Sequence, residues 1–356
     1  MTSFVAEIPS GAWADTVSRR ALLVLSSLLY AIGFSLWIVT PSYAGFLAGF
    51  VLWGVSSALM SGTFEALLYD EMTEAGAADD YARVMGLANS AAMVANLSAS
   101  VLAAPLLRLG GYTLVGWVSV AVALVQGGLA LVLPRAPRIT QVADDVDGAG
   151  DAVTGYVAML RSGLREASHS HRVRNAVIIT SLLYGTLAYD EYFPLVAREH
   201  GTALGDVPLL MAIVVAGQAV GTALAGRAAR LGRRPLAAGL VVAATLLAAG
   251  ALGGRVVGWI AIGIGYGLVN NMIIVAAARL QDQIEGPARA TVTSVSGFLS
   301  EITAVTVFAA FALGASWLAV STMVALLSVP LVGIAVVVPR WLPPSRQHAT
   351  PERGSP

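Results

Sequence analysis

From Ala21 to Phe64 the chain carries no charged side chain, 44 residues in a row, and shorter silences recur to its end. Arg83 to Arg108, Arg108 to Arg135, Asp206 to Arg227, Arg234 to Arg255 and Arg255 to Arg279 each enclose 20 to 26 uncharged residues. A helix that crosses about 30 Å of hydrocarbon needs about 20 mostly apolar residues. No water-soluble fold requires apolar stretches cut repeatedly to that length. Ten complete spans follow: 21–39, 43–64, 84–107, 112–133, 175–197, 207–226, 235–253, 256–278, 290–313 and 316–338. They are continuously apolar, whereas barrel strands alternate over about ten residues. The expected fold class is an all-α polytopic membrane protein.

Only 12% of residues are charged and mean hydropathy is +0.76, against roughly 25% charged in soluble domains. The basic residues number 21, and every one is arginine. Taking loops alternately, 18 of them fall on the side of Arg19 and Arg20, and three (Arg108, Arg198 and Arg255) on the other. The positive-inside rule makes the rich side cytoplasmic, and ten spans return the C-terminus to it. With no cysteine, disulfides, thiolate metal sites and cysteine nucleophiles are excluded. The opening MTSFVAEIPSGAWA is too short to span and lacks the basic start of a secretory signal. It reads as the second half of a helix.

Four spans precede the longest polar interval, 134–174, and six follow it. That interval begins with Pro134 and Pro137 and continues with Asp144, Asp145, Asp147 and Asp151 among glycines, the composition of a solvated linker. Within it, Val153, Tyr156, Val157, Leu160 and Leu164 fall at helical spacing and predict an amphipathic surface helix over 152–168. The expected domains are therefore 1–133, a linker 134–174, 175–339 and a disordered tail 340–356. An internal echo strengthens this division. G-A-W-A-D-T-V-S-R-R (11–20) and A-G-R-A-A-R-L-G-R-R (225–234) are both short turns that end in paired arginines ahead of a span. Parallel repeats of six-span halves are one architecture of secondary transporters. The second half has six spans and the first shows four and a fragment, so about one and a half spans are expected to be missing before Met1.

These features resemble a known family. Gly11, Ala14, Asp15, Arg19 and Arg20 match the signature turn between helices two and three of the major facilitator superfamily, with Ser18 where a glycine is usual and Thr16 where a basic residue is. S-G-T-F-E-A-L-L-Y-D (61–70) resembles the end of helix four in many bacterial members. The resemblance covers essentially the whole chain and implies two six-helix bundles, the N-terminal one lacking its first helix and most of its second. It also implies alternating access by rocking around a central cavity. The glycine- and proline-rich helix-five pattern of drug/proton antiporters is not recognisable around Pro105. For the turn Gly11, Asp15, Arg19 and Arg20 the resemblance implies a cytoplasmic gate latch, with Asp15 on the N-terminal end of the helix starting near Arg289, where the macrodipole favours negative charge. The alternative is that the arginines only enforce topology.

Carboxylates inside spans cost about 2.5–3.5 kcal/mol each at mid-membrane, so each needs a reason. Glu65 closes the small-residue stripe Gly54, Ala58 and Ser61, with Tyr69 and Asp70 beyond it. It reads as a titrating or gate-pairing group, or as half of a structural ion pair; Glu7 reads similarly. Thr180, Tyr184, Leu187 and Glu191 share one helical face, and Asp190 lies on a neighbouring face with Thr186. By position this span is helix seven, which lines the cavity in the family. Burial raises a carboxyl pKa, which suits proton exchange, and the stripe favours Glu191. The alternative is that Pro194 breaks the helix and leaves both acids at the outer interface. Glu301, with Ser294 and Gly297 on its face, is the best centred acid. It serves either coupling or a helix contact.

Asn89 and Asn96 share a face of span 84–107, while Tyr266, Asn270 and Asn271 sit mid-span in 256–278. Amides in lipid often hold helices together, worth about 0.6 kcal/mol on average. That reading leads for Asn89 and Asn96, and substrate contact leads for the other three. Gly263, Gly265 and Gly267 allow either bending or tight packing there. His169 and His171 read as a solvated pair rather than metal ligands, and no nucleotide or zinc-protease motif occurs. No cofactor, metal or nucleic acid is expected.

The expectation is a monomeric, proton-coupled secondary transporter of the bacterial inner membrane that exports a small amphiphilic organic molecule. The partners are that substrate, protons and the lipid bilayer. Several acids and no deep arginine suit neutral or cationic cargo. The alternatives are an importer or uniporter, a truncated inactive transporter, and a membrane-embedded enzyme or scaffold. Reporter fusions after Arg138, Arg234 and Arg346 are expected to report cytoplasm, and those near Pro41, Gly110 and Gly314 the outside. A periplasmic signal from 134–174 would overturn the topology.

Overall fold

Lipid offers the backbone no hydrogen bonds, so a spanning segment must satisfy its own, and the computed structural model follows that rule. It describes residues 18–60, 63–77, 80–133, 170–284 and 289–344, with the side chains of 82, 289–291 and 294 excepted. The helices are α1 Arg19–Val39, α2 Tyr43–Met60, α3 Thr63–Glu74 and α4 Tyr81–Val132. After the linker come α5 His171–Thr186, α6 Phe193–Glu199, α7 Val207–Ala228, α8 Arg233–Gly253, α9 Val256–Gln281, α10 Arg289–Gly314, α11 Val320–Leu327 and α12 Val329–Trp341. The expected amphipathic helix 152–168, Glu7, Gly11 and Asp15 lie outside the described residues. Described residues of 1–95 and 105–158 form one compact unit, and those of 96–104 and 159–356 a second.

Eight helical segments among the described residues are long and apolar enough to cross a membrane. One of them needs dividing. α4 has 52 residues, or roughly 78 Å at 1.5 Å per residue, more than twice the hydrocarbon thickness. It breaks where Gly110 leaves helical geometry and Gly111 takes φ 60° and ψ −158°, a conformation that only glycine adopts readily. The sequence places its outer turn at the same point. A further span is interrupted: α5 and α6 are joined by a 3-10 segment, Leu187–Tyr192. The all-α polytopic fold expected from the charge silences is the one observed. α12 runs on to Trp341, past residue 340 where the tail was expected to begin, and Leu342 is fully buried.

In the first unit, Ser18 caps α1 by accepting from the Ala21 amide at 3.2 Å. Ser26 and Ser56 exchange hydroxyl-to-carbonyl bonds of 3.1 and 2.8 Å across α1 and α2. Arg19 is ion-paired with Asp70 and donates to the Ala66 carbonyl at 2.9 Å, which ties the start of α1 to α3. Arg20 donates to the Leu133 carbonyl at the end of α4 at 3.2 Å.

The second unit repeats the last of these devices. Arg233 at the start of α8 donates to the Pro339 carbonyl near the end of α12 at 3.4 Å. The two stretches that echo each other in sequence thus each supply an arginine that donates to a carbonyl at or near the end of the last described helix of its own unit. α9 forms the centre of this unit, with 67% of its span window buried. Gly217 and Gly221 of α7 face Gly263 and Gly267 of α9, and a Cβ on Gly217 or Gly221 would collide with the Gly263 or Gly267 carbonyl. Two GxxxG faces therefore meet backbone to backbone, the contact that small residues permit in lipid. α9 is continuous through Gly263, Gly265 and Gly267, so packing rather than bending explains these glycines.

Gly217→Val is expected to cost about 1–3 kcal/mol through overpacking. Gly239→Ala in α8, where an added Cβ meets nothing within 4 Å, is expected to leave stability unchanged or raise it by up to about 1 kcal/mol. Thermal unfolding of both variants in one detergent checks the contrast.

Candidate functional site

Pro194 explains why the span around the acids is not a plain helix. Its ring would clash with the carbonyl of the residue four before it, Asp190, and it has no N–H to offer that carbonyl. The chain responds with the 3-10 segment Leu187–Tyr192, and the Phe193 amide takes over as donor to the Asp190 carbonyl. Helix resumes as α6 with Pro194 in its first turn, where no partner for its nitrogen is needed.

This break changes which acid faces the protein. A 3-10 segment has three residues per turn instead of 3.6, so a stripe extrapolated from α5 falls out of phase. Thr180 is buried, Tyr184 is 46% exposed and Glu191 is exposed, so the four-residue stripe does not form one face. Asp190 turns inward instead. It is half-buried, and its carboxylate accepts from the Tyr266 hydroxyl of α9 at 2.5 Å. No basic side chain pairs with Asp190 among the described residues.

Aromatic rings surround the pair. Tyr189 and Phe193 stand edge-on to Tyr266 at centroid distances of 6.4 and 5.8 Å. Tyr189 is fully buried, and its hydroxyl has no hydrogen-bond partner among the described residues. Tyr192 stacks on Phe311 of α10 with centroids 3.5 Å apart. Sequence reasoning singled out neither Tyr189 nor Phe193. The available signal was an aromatic run, Tyr189, Tyr192 and Phe193, threaded through two acids and a proline.

The amides of α9 support Tyr266 from below. Asn270 donates to the Tyr266 carbonyl at 3.0 Å, and its own Oδ1 accepts from Gln218 of α7 at 3.2 Å. Asn271 donates to the Gly221 carbonyl of α7 at 2.8 Å. Both amides are thus engaged in joining α9 to α7 beside the glycine contact. Gln218 completes this network, and the sequence reading passed over it although it is an amide in an uncharged span.

Glu301 is half-buried on α10, Glu65 is exposed in the first turn of α3, and Asn89 and Asn96 are exposed on α4. Near Glu65 it is Asp70 that carries the ion pair, with Arg19.

Comparison with known proteins places the chain. The model of the Major Facilitator Superfamily matches residues 1–307. The chain belongs to that superfamily. A crystal structure of a mutant of the nucleoside transporter NupG is similar to it in fold, with a TM-score of 0.69 and 15% identity over 95% of this chain and 87% of that one. A search of curated proteins finds no match in sequence. Membership makes the chain a multi-pass membrane protein of a transporter family, points to transport rather than enzymatic chemistry, and implies a small-molecule substrate.

A double-mutant cycle tests the central hydrogen bond. Tyr266→Phe and Asp190→Asn are expected to couple by about 1.5–3 kcal/mol, the range for a hydrogen bond to a charged group, when thermal unfolding is compared across the four proteins. A coupling near the ~0.6 kcal/mol average of neutral interhelical pairs would mean that Asp190 is not charged in this contact.

Proposed function

We propose that this chain is a proton-coupled secondary transporter working by alternating access, and that it exports cationic or neutral amphiphilic organic molecules. The supporting observation is Asp190, a carboxylate inside a span whose partner is a neutral tyrosine hydroxyl and whose surroundings are rings. With no basic partner among the described residues, its charge is balanced either by a proton or by a cationic cargo. The two compete for one group, and that competition is the elementary requirement of exchange. The rings of Tyr189, Phe193 and Tyr266 supply apolar surface and cation–π attraction, worth about 2 kcal/mol when desolvated. Glu301 is the second acid for this role. Glu65 and Glu191 rank below it because both are exposed. The arginine-rich ends face the cytoplasm in this reading, and the turn of Gly11, Asp15, Arg19 and Arg20 acts as a gate latch. Uptake of a nucleoside-like solute is the second reading, favoured by the likeness to NupG.

Proteoliposomes separate these readings. With the lumen acidic, ethidium is expected to accumulate in everted vesicles, and Asp190→Asn is expected to abolish accumulation while the variant still binds ethidium. Glu191→Gln is expected to transport normally. Uridine accumulation driven by external acid in right-side-out vesicles would establish uptake instead. Undiminished gradient-driven transport in Asp190→Asn would sink the assignment to Asp190 and move it to Glu301.

A further inference from the structure

A cavity of about 350 Å³ lies at one end of the second unit, where α5 and α8 begin and α12 ends. Its size falls at the lower end of small-molecule pockets, about 300–1,000 Å³. Among the described residues its lining contains Arg172, Arg233, Arg340 and His171 and no carboxylate. Trp341 and Leu342 close its apolar side.

His171 is engaged through Nδ1 with Arg174 at 2.7 Å, whereas the guanidinium groups of the cavity are largely uncommitted. Arg233 gives one N–H to the Pro339 carbonyl at 3.4 Å. Arg172 and Arg340 are exposed and have no hydrogen-bond or ion-pair partner among the described residues. Like charges gathered in one cavity repel, and an anion relieves that repulsion. The start of α8 adds to the field, since its N-cap Gly232 has no side chain to satisfy the first amides. Guanidinium forks match phosphate oxygens two at a time. The place of the cavity in the fold favours a lipid as the source of the phosphate. The cavity lies where two spans begin and a third ends, and the ends of spans are where tryptophan is enriched and where basic pockets between transmembrane helices meet lipid headgroups.

We propose that this cavity binds the phosphate of an anionic phospholipid, with the acyl chains leaving along Trp341. The proposal rests on the topology given under the proposed function only for naming the leaflet cytoplasmic. Binding in detergent depends neither on that topology nor on transport, so failure of one reading leaves the other standing.

The test uses the purified chain in mild detergent, titrated with dioleoylphosphatidylglycerol or dioleoylphosphatidylcholine and read by native mass spectrometry. The glycerol lipid is expected to be retained and the choline lipid lost. The double variant Arg172→Gln/Arg340→Gln is expected to weaken retention about tenfold or more. Arg227→Gln/Arg230→Gln, which removes the same charge from a turn outside the cavity, is expected to retain the lipid as the parent does. Phosphatidylglycerol brominated on its chains is expected to quench a fluorescence component that Trp341→Phe abolishes, which decides the question even if the arginine variant does not fold. Equal retention of both lipids, equal loss in the two arginine variants, or no Trp341-dependent quenching would overturn the proposal. Displacement of the lipid by millimolar inorganic phosphate would also overturn it and assign the cavity to a soluble phosphate.

Discussion

The second unit depends on the approach of α7 to α9 through four glycines. In water such a contact would be one packing choice among many. In lipid the chains outside a helix are as apolar as its own leucines, so close van der Waals fit must supply the association. Gly217 and Gly221 bring backbone onto the backbone of Gly263 and Gly267. At that distance Asn271 reaches the Gly221 carbonyl and Gln218 reaches Asn270. Asn270 in turn bonds to the Tyr266 carbonyl, so the residue that holds Asp190 is itself fixed by the glycine contact. Packing, amide bonding and the position of the acid are three consequences of one approach.

Against that rigid pair stands a span that is deliberately irregular. A break in a membrane helix exposes backbone groups that lipid cannot satisfy, so broken helices survive only where protein re-satisfies them. Here the Phe193 amide closes the Asp190 carbonyl, and Thr186 returns its hydroxyl to the Leu183 carbonyl at 2.8 Å. The break costs little because Pro194 has already removed the regular alternative. What it yields is an acid aimed at α9, which a plain helix carrying the same residues would not present.

The difference between what the sequence disclosed and what it concealed follows from these two elements. Spans were legible because charge is excluded from hydrocarbon regardless of sequence detail, and even the break within α4 shows at Gly110 and Gly111. The identity of the inward acid was not legible. A period of 3.6 carried through Leu187–Tyr192 selects Glu191, whereas the observed three residues per turn select Asp190. Pro194 was the available warning, and it had been weighed only as a terminator that would strand both acids. The partners of the amides were hidden for a related reason. Composition shows that Asn270 and Asn271 are polar in lipid, but only the glycine contact shows that carbonyls and a glutamine of α7 lie within their reach.

The use of arginine for every basic position makes sense once its tasks are separated. Arg279 is buried and gives N–H groups to the carbonyls of Ala229, Leu231 and Pro343 at 3.2, 2.7 and 3.0 Å. It thereby closes the end of α7 and the segment after α12 at once. A planar guanidinium can address three carbonyls from one position, and a lysine ammonium on a flexible stem is poorly suited to that. Arg20 and Arg233 perform smaller versions of this closure, one in each unit. Arg172 and Arg340 perform none, although they stand on helix ends of the same kind. Helix ends in a membrane protein present carbonyls to one side and headgroup phosphates to the other. One side chain type that can bind both planar oxygens and phosphate suits the internal closure and an external contact alike.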